Sequence, residues 1–463
     1  MKRLALLAAL AHLALKGGLW PSMRDTPISG DEGAYRDGGL ALANALIDLF
    51  SGHSPDSAEL QSNVVGNGWF MPGPSAVLAP LYMVAPDAGL ETMRAYLGAL
   101  STVLLLLAAY VVYRRLGTRY ALGLLVVPGL MPMWVLFSYT AWGDAVCGLV
   151  IVLVLASLVR LAGKLAWGEP WSIWSGIGIG ALLASCLYLR SSAFPLVLGC
   201  LVLTLLAVLV LPRERLRLKN LAASLVAIAT FVILLAPWSV AASKTFDSTV
   251  TTTTSLPLSL AFAFGDPDKL CFGPCDDGNT TFFSAVRYSR TVAAVTGQSE
   301  LDVQQQMADY AMSGLEQQAY AREVGENAAR FAFSPNDFLE RWWPDVAPSS
   351  WEYRAVTWTT WALYGAGLLA LALGVIAVVR YPLETQVVSL LVTLFTMACF
   401  LQPLLHATSG RYWPIYAPLM GISIGLLAGR HKNEDGRTAL VAGQSIAVVT
   451  LLTGVLTLGV LTI

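Results

Sequence analysis

Residues 97–115 read LGALSTVLLLLAAYVVYRR, an apolar run that ends in two arginines. A helix needs roughly 20 mainly apolar residues to cross the hydrocarbon core of a bilayer. With the residues that precede it, this run gives a stretch long enough to span the bilayer, over residues 90–113. Arg114 and Arg115 then mark a return to the aqueous side. The pattern predicts a membrane-spanning helix.

Similar apolar stretches recur along the chain. The sequence has 463 residues, of which 56% are hydrophobic and 13% charged, against roughly 25% charged in a soluble protein. We count about eleven spans of sufficient length, near 4–20, 90–113, 120–138, 143–162, 172–189, 193–211, 221–241, 357–379, 385–405, 412–429 and 439–462. The chain is therefore predicted to be an all-α polytopic membrane protein. Its formal net charge of −1 indicates no nucleic-acid partner.

Basic residues indicate the orientation of these spans, because Lys and Arg collect in cytoplasmic loops. They fall on one side if the N-terminus is cytoplasmic: Lys2, Arg3, Arg114, Arg115, Arg119, Arg160, Lys164, Arg213, Arg215, Arg217, Lys219, Arg380, Arg430, Lys432 and Arg437. Residues 21–89, residues 242–356 and the C-terminus are then outside. An N-terminal module of about seven spans over 1–241 and a C-terminal module of about four over 357–463 flank a loop domain at 242–356.

The first span also looks like a secretory signal, since Lys2 and Arg3 precede an apolar core. No Ala-x-Ala-like cleavage site follows at the usual distance, so we interpret it as a retained span. Beyond it, the segment from Tyr35 to Phe50 has an apolar stripe at helical spacing and predicts an amphipathic helix on the membrane surface. The stripe consists of Leu40, Ala43, Leu46, Ile47 and Phe50. The Pro-rich stretch 70–86 is too short to span and is predicted to lie in the interface.

The second outer segment is too long to be structureless in a compact protein. It is predicted to form a small external domain resting on the helical bundle. Its successive parts are an extended Thr-rich stretch at 249–255, a Gly/Pro/Asp-rich section at 265–280, a helix over 299–331 and an aromatic cluster at 342–361 typical of an interfacial belt.

Six cysteines are present, and four of them fall inside predicted spans as small packing residues: Cys147, Cys186, Cys200 and Cys399. Cys271 and Cys275 lie instead in the large outer loop, as Cys-Phe-Gly-Pro-Cys. An oxidising compartment would allow them to form a disulfide. A metal pair is the alternative, although no second Cys or His pair is nearby.

Two adjacent carboxylates follow the first span, in Gly30-Asp31-Glu32-Gly33-Ala34-Tyr35. Carboxylates can take a proton from a hydroxyl or hold a metal, so Asp31 and Glu32 are a candidate catalytic centre. The alternative is a pair of solvated loop residues.

Further polar residues are predicted to share the outer face with this motif. They are Asp144, Arg190, Lys244, His406, Arg411 and Tyr412. Arginine forks onto phosphate oxygens, so the group suits a phosphate-bearing lipid substrate. Structural roles are the alternatives: Asp144 as a helix cap, Arg190 and Arg411 as snorkelling side chains, and His406 as a packed histidine.

Taken in order, these motifs resemble the GT-C superfamily of polyprenyl-phosphate-sugar-dependent glycosyltransferases, which includes protein O-mannosyltransferases and the lipid A aminoarabinose transferase. The resemblance covers essentially the whole chain. It rests on the acidic motif at 30–35, Phe70-Met71-Pro72-Gly73-Pro74, Phe137-Ser138 with Asp144, Gly180 to Arg190, Pro237-Trp238, and Arg411-Tyr412-Trp413-Pro414 with Pro418. Two positions depart from the family pattern. Met71 replaces a Lys or His found in some relatives, and Ser239 to Ser243 stand where Arg-Asn often follows Pro-Trp.

The resemblance implies an inverting sugar transfer on the periplasmic face of a bacterial inner membrane. Asp31 would act as general base on the acceptor hydroxyl, with Glu32 as its neighbour or an alternative base. Arg190, Arg411 and Lys244 would stabilise the leaving lipid phosphate. Asp144 would orient the acceptor or, with Asp31, bind a divalent cation. Tyr35, His406 and Tyr412 would line the substrate site.

The expected donor is an undecaprenyl-phosphate-linked sugar, and the acceptor an envelope glycan, lipid A or a secreted protein. A transporter or flippase of lipid-linked saccharides is the alternative, and it predicts charged residues inside the spans, which are scarce in this sequence. A scaffold protein would not need acidic and basic groups gathered on one face.

Overall fold

The computed structural model describes residues 2–66, 68–210, 214–264, 281–313, 315–344, 346–377, 383–405 and 410–428. Helices, turns and bends make up these residues, with no strand among them. The helices of the first part are α1 (Lys2–Met23), α2 (Glu32–Phe50), α3 (Ser57–Leu60), α4 (Gly73–Val84), α5 (Leu90–Arg115), α6 (Thr118–Val126), α7 (Pro132–Phe137), α8 (Asp144–Trp167) and α9 (Ile173–Leu189).

Ten further helices follow in the second part. They are α10 (Phe194–Val210), α11 (Glu214–Thr245), α12 (Ser255–Phe264), α13 (Thr281–Thr296), α14 (Glu300–Met312), α15 (Gln317–Phe333), α16 (Leu339–Trp342), α17 (Trp351–Ala377), α18 (Leu383–Cys399) and α19 (Ala417–Leu427). A π-helical turn covers Gln61–Val65, and 3-10 turns cover Ser191–Ala193, Gln402–Leu404 and Trp413–Ile415.

Seven helices of the described chain are long and apolar enough to cross a membrane. They are Arg3–Met23, Leu90–Arg115, Asp144–Trp167, Ser191–Leu209, Arg217–Thr245, Trp351–Gly374 and Gln386–Leu404. All seven coincide with predicted spans, so the predicted class of an all-α, multi-pass membrane protein is confirmed at this level.

The predicted third span, 120–138, is broken. Helix α6 ends at Val126 and α7 begins at Pro132, with Pro128 between them. Proline lacks the backbone N–H that a helix interior needs and restrains the residue before it. It is well suited to the first turn of a new helix, where Pro132 stands.

The predicted spans at 172–189 and 412–429 correspond to the shorter apolar helices α9 and α19. The predicted span at 439–462 lies outside the described residues. The count of eleven spans therefore remains a prediction.

Helix α19 packs tightly against α6 because both carry glycine at the crossing. A Cβ built on Gly123 would lie 2.0 Å from the Gly421 carbonyl oxygen, and one on Gly421 would lie 1.9 Å from that of Val127. Small residues allow membrane helices to approach closely. This contact fixes the segment before α19, which carries Arg411, relative to the N-terminal helices.

The predicted surface helix is present as α2, but it buries a different face from the one its large apolar residues suggest. Tyr35 and several small residues are buried against α4, whereas Phe50 is 81% exposed. Of the predicted stripe Leu40, Ala43, Leu46, Ile47 and Phe50, only Ala43 is buried. Small side chains let α2 and α4 approach closely, so the larger apolar residues remain outside this contact.

In the predicted outer segment 242–356, the single long helix predicted over 299–331 is divided into two helices. That stretch forms α14 and α15, with a break between Met312 and Gln317. Helices α12 and α14 share a small apolar cluster containing Leu258 and Met307. The Thr-rich stretch forms no strand, and the section 265–280 lies outside the described residues.

Candidate functional site

Asp31 lies at the junction between the first span and α2. Gly30 before it has φ +56°, a left-handed conformation that glycine adopts without strain. The turn directs Asp31 inward, where its side chain is 8% exposed. Its Oδ2 accepts a hydrogen bond from Arg411 Nη2 across a sequence separation of 380 residues.

The backbone next to Arg411 is fixed by a contact with the predicted outer segment. The backbone N–H of Gly410 donates to Asp337 Oδ2 at 3.2 Å. Asp337 follows α15, and burial raises the pKa of its carboxyl group. The loop after α15 therefore fixes the residue next to Arg411.

A second ion pair joins the start of α8 to the end of α9. Arg190 Nε lies 2.9 Å from Asp144 Oδ1, and both side chains are largely buried. Helix α4 packs closely against the end of α9, next to this pair. A Cβ on Gly73 would lie 2.3 Å from the Tyr188 carbonyl oxygen. Asp144 Oδ2 is buried and has no hydrogen-bond partner among the described residues.

The two ion pairs are neighbours. Tyr35 is buried and interacts electrostatically with Asp31, Arg190, Arg411 and Asp144. Burial, followed by the charge of Asp31, raises the pKa of the Tyr35 phenol. The hydroxyl group is therefore protonated at neutral pH and can donate a hydrogen bond.

One aromatic ring lies against both guanidinium groups. The Tyr412 ring centroid is 5.1 Å from Arg190 Cζ and 4.9 Å from Arg411 Cζ. Arg411 also lies 5.3 Å from the Trp142 ring. These distances fall within the range of cation–π attraction. The site thus combines two carboxylates, two guanidinium groups and a phenol at one end of the helical bundle.

Glu32 has different surroundings from its neighbour Asp31. Its side chain and that of Arg94 are both fully buried, and Arg94 donates to both carboxylate oxygens. The amides of Ser29 and Ala141 donate to the same carboxylate at 3.1 and 2.8 Å. Four donors therefore surround Glu32.

Arg94 also donates hydrogen bonds to backbone carbonyl groups from two further parts of the chain. Besides Glu32 it approaches the carbonyl oxygens of Thr26, Pro27 and Tyr139 at 3.2–3.4 Å. It therefore joins the turn before Asp31 to the segment before Asp144. Arg94 was not among the residues predicted from the sequence, although a charged residue inside the predicted span 90–113 was a usable signal.

Part of the segment 242–356, which is predicted to lie outside, packs over this site. Phe338 and Trp342 contact Trp142, with ring centroids 5.0 and 5.8 Å away. Trp342 is buried rather than interfacial, and so is Trp343. Of the predicted aromatic belt, Trp351 and Trp358 are exposed, as such a belt requires.

The remaining predicted residues are not brought into the cluster. Lys244 is exposed in the last turn of α11 and forms no ion pair with any described residue. His406 and the predicted Cys271–Cys275 disulfide lie outside the described residues.

Asp31 and Asp144 were named as the carboxylates that would hold a divalent cation if the site used one. Each is engaged by an arginine. Within the described ranges, no group of three or more His, Cys, Asp or Glu side chains is arranged to hold a metal. In this arrangement the residues do not fit a cation site.

No protein-family model and no curated protein sequence matches the chain. The features that bear on function are the two ion pairs, the buried phenol of Tyr35 and the apolar helices around them.

Proposed function

We propose that the protein is an integral membrane glycosyltransferase of the GT-C type. It would move a sugar from a polyprenyl-phosphate donor to a hydroxyl group of an envelope glycan, lipid or protein. The observation that carries this proposal is the pairing of Asp31 with Arg411 beside the pairing of Asp144 with Arg190. A base and two phosphate-binding groups are the requirements of this reaction.

The two arginines are suited to a lipid phosphate. Guanidinium groups bind phosphate through paired N–H donors. Arg190 follows the apolar helix α9, and Arg411 precedes the apolar helix α19. Charge develops on the phosphate oxygen as the sugar leaves, and fixed cations in a buried site stabilise that charge. Arg190 and Arg411 would therefore act on the leaving group.

Asp31 is proposed as the general base. The acceptor hydroxyl loses its proton to Asp31 while its oxygen bonds to the anomeric carbon. The bond from that carbon to the phosphate oxygen breaks, and polyprenyl phosphate leaves. Because Arg411 contacts Oδ2, the proton would go to Oδ1. Attack opposite the leaving group inverts the anomeric configuration.

Glu32 is proposed as a positioning residue rather than an alternative base. Its carboxylate already accepts hydrogen bonds from Arg94 and two backbone amides, so an acceptor hydroxyl would have to displace a buried donor. Its contacts instead hold the turn that presents Asp31.

We place the site on the periplasmic face of a bacterial inner membrane, with the N-terminus in the cytoplasm. The support is the distribution of Lys and Arg along the sequence. The site residues lie near the ends of α5, α8 and α9 away from Arg114, Lys164 and the basic start of α11. The outer segment 242–356 would shape the acceptor site, since Phe338 and Trp342 cover Trp142.

A transporter of lipid-linked saccharides is the second candidate function. One observation favours it: Lys16 and His12 are buried inside the first span, and buried ionisable groups in spans often mark transport pathways.

The test is transfer of radiolabelled sugar from polyprenyl-phosphate donors by the purified protein in lipid nanodiscs. Asp31→Asn should lose activity by about 10²–10⁴-fold, the usual contribution of a general base. Asp37→Asn is the matched control, because Asp37 is an exposed carboxylate in α2, the helix that follows Asp31.

Full activity in Asp31→Asn would rule out the base assignment. If the wild type released no lipid phosphate but moved labelled lipid-linked saccharide across a vesicle bilayer, the transporter would replace the transferase.

A further inference from the structure

The segment Ser138–Asp144 (SYTAWGD), called here the 138–144 segment, runs from the end of α7 to the first residue of α8 and is held at successive positions by charged side chains. Arg94 donates to the Tyr139 carbonyl, Glu32 accepts from the Ala141 amide, and Arg411 lies against the Trp142 ring. Arg190 pairs with Asp144 at its end. One further charged residue, Lys16, holds its beginning.

Lys16 lies in α1, seven residues before the helix ends, and is 6% exposed. Its Nζ donates to Ser101 Oγ at 2.6 Å and to Ser138 Oγ at 2.7 Å. The ammonium group also lies 4.7 Å from the centroid of the Tyr139 ring. Two of these three partners belong to the 138–144 segment.

The hydroxyl groups are arranged to accept from Lys16. Ser138 Oγ donates to the Val135 carbonyl at 2.6 Å, and Ser101 Oγ donates its one proton to the Ser138 or the Gly98 carbonyl, which lie at 3.0 and 3.1 Å. Their protons are thus committed, and their lone pairs remain for the ammonium group. The Tyr139 hydroxyl donates back to the Lys16 carbonyl at 2.7 Å.

Lys16 has no ion-pair partner among the described residues. An ionisable group buried in a span without a carboxylate is costly and marks a candidate functional residue. Its contacts with oxygen atoms and an aromatic ring stabilise the charge in part. These contacts connect α1 and α5 to Ser138 and Tyr139.

We infer that Lys16 is a positioning residue of the site. It acts from within the membrane, through Ser138 and Tyr139, to fix the 138–144 segment that carries Asp144 and contacts Glu32. This role in activity rests on the proposed function, whereas the ordering of the segment does not. Lys16 itself touches neither Asp31 nor Arg411 in the described contacts.

The first measurement is hydrogen–deuterium exchange of the full-length protein in nanodiscs, read by mass spectrometry on peptides covering 138–144. Lys16→Met removes the ammonium group and keeps an unbranched chain. Ser101→Ala removes one Lys16 contact and the bond to the Ser138 carbonyl, with little risk to folding. Both should raise exchange of the segment by about threefold or more, because local opening becomes easier.

Two controls separate this effect from general loosening. Thr102→Val removes a neighbouring hydroxyl that donates only to the Gly98 carbonyl of its own helix at 2.9 Å. Lys219→Met removes an exposed lysine of α11. Both should leave exchange of the 138–144 segment within about twofold of wild type.

The second measurement is sugar transfer under the conditions used for Asp31→Asn. Lys16→Met should lose about 10–100-fold, the effect of a displacement of about 1 Å at a reacting centre. Ser101→Ala should lose less, because it leaves the contacts of Lys16 with Ser138 and Tyr139 in place.

Unchanged exchange in both Lys16→Met and Ser101→Ala would overturn the inference, whatever the site's chemistry. Raised exchange with full transfer would overturn the role in activity while the proposed function stood. If the wild type transferred no sugar, the proposed function would fail, and the exchange measurement alone would decide whether Lys16 orders the segment.

Discussion

Arg94→Met tests the buried pair that joins the turn before Asp31 to the 138–144 segment. Both side chains of the Arg94–Glu32 pair are 0% exposed, so the substitution leaves a carboxylate buried without a counter-charge. Removing one partner of a buried pair costs about 3–5 kcal/mol. Two amide donors remain on Glu32, at Ser29 and Ala141, which places the expected loss near the lower limit, about 3 kcal/mol.

The assay is reversible unfolding by SDS in mixed micelles, followed by far-UV circular dichroism. Arg36→Met is the matched control, since the Arg36–Asp37 pair is 44% and 50% exposed and should contribute less than about 1 kcal/mol. Adding Glu32→Gln to Arg94→Met should recover about 1–2 kcal/mol, because the buried charge is removed while an acceptor remains.

A loss in Arg94→Met no larger than in Arg36→Met would refute this reasoning. So would a double variant that is less stable than Arg94→Met alone, since the energy would then not come from an uncompensated carboxylate.

Two further predictions concern the supports of the site. Gly73→Ala should destabilise by about 1–3 kcal/mol in the same unfolding assay, because its Cβ would lie 2.3 Å from the Tyr188 carbonyl oxygen; Gly178→Ala, with nothing within 4 Å, should not. Burial raises the pKa of the Asp337 carboxyl group. The folded protein therefore keeps this proton to a higher pH than the unfolded chain. As a result, the free energy of unfolding decreases as the pH rises above the ordinary carboxyl range. Asp337→Asn keeps an acceptor for the Gly410 amide; its stability relative to wild type should therefore increase between about pH 4 and pH 7, and a constant difference would contradict the assigned cause.

Much of the fold could be predicted from local sequence, because an apolar helix is decided by length and composition. The seven long helices are of this kind. The break in the third predicted span was also encoded locally, in Pro128 and Pro132, although the apolar run across them resembled a continuous span. The packed face of α2 was not predicted, since its contact with α4 depends on small residues that periodicity of large apolar residues overlooks.

The site was predictable as a set of residues but not as pairs. Asp31, Asp144, Arg190 and Arg411 were selected from their positions near span ends, and the structure brings them together. Which carboxylate faces which arginine depends on helix packing across hundreds of residues. The different environments of Asp31 and Glu32 depend on Arg94, whose importance appears only when its five oxygen contacts are seen.

The Asp31–Arg411 pair also has a consequence for biosynthesis. At about 5–20 residues per second, a ribosome needs roughly 20–80 s to proceed from Asp31 to Arg411. During that interval the carboxylate has no guanidinium partner, and its position beyond the end of α1 allows water to solvate it. The two halves of the pair meet only after the intervening helices have entered the membrane. A nascent chain therefore has no complete site until nearly all of its helices are in place.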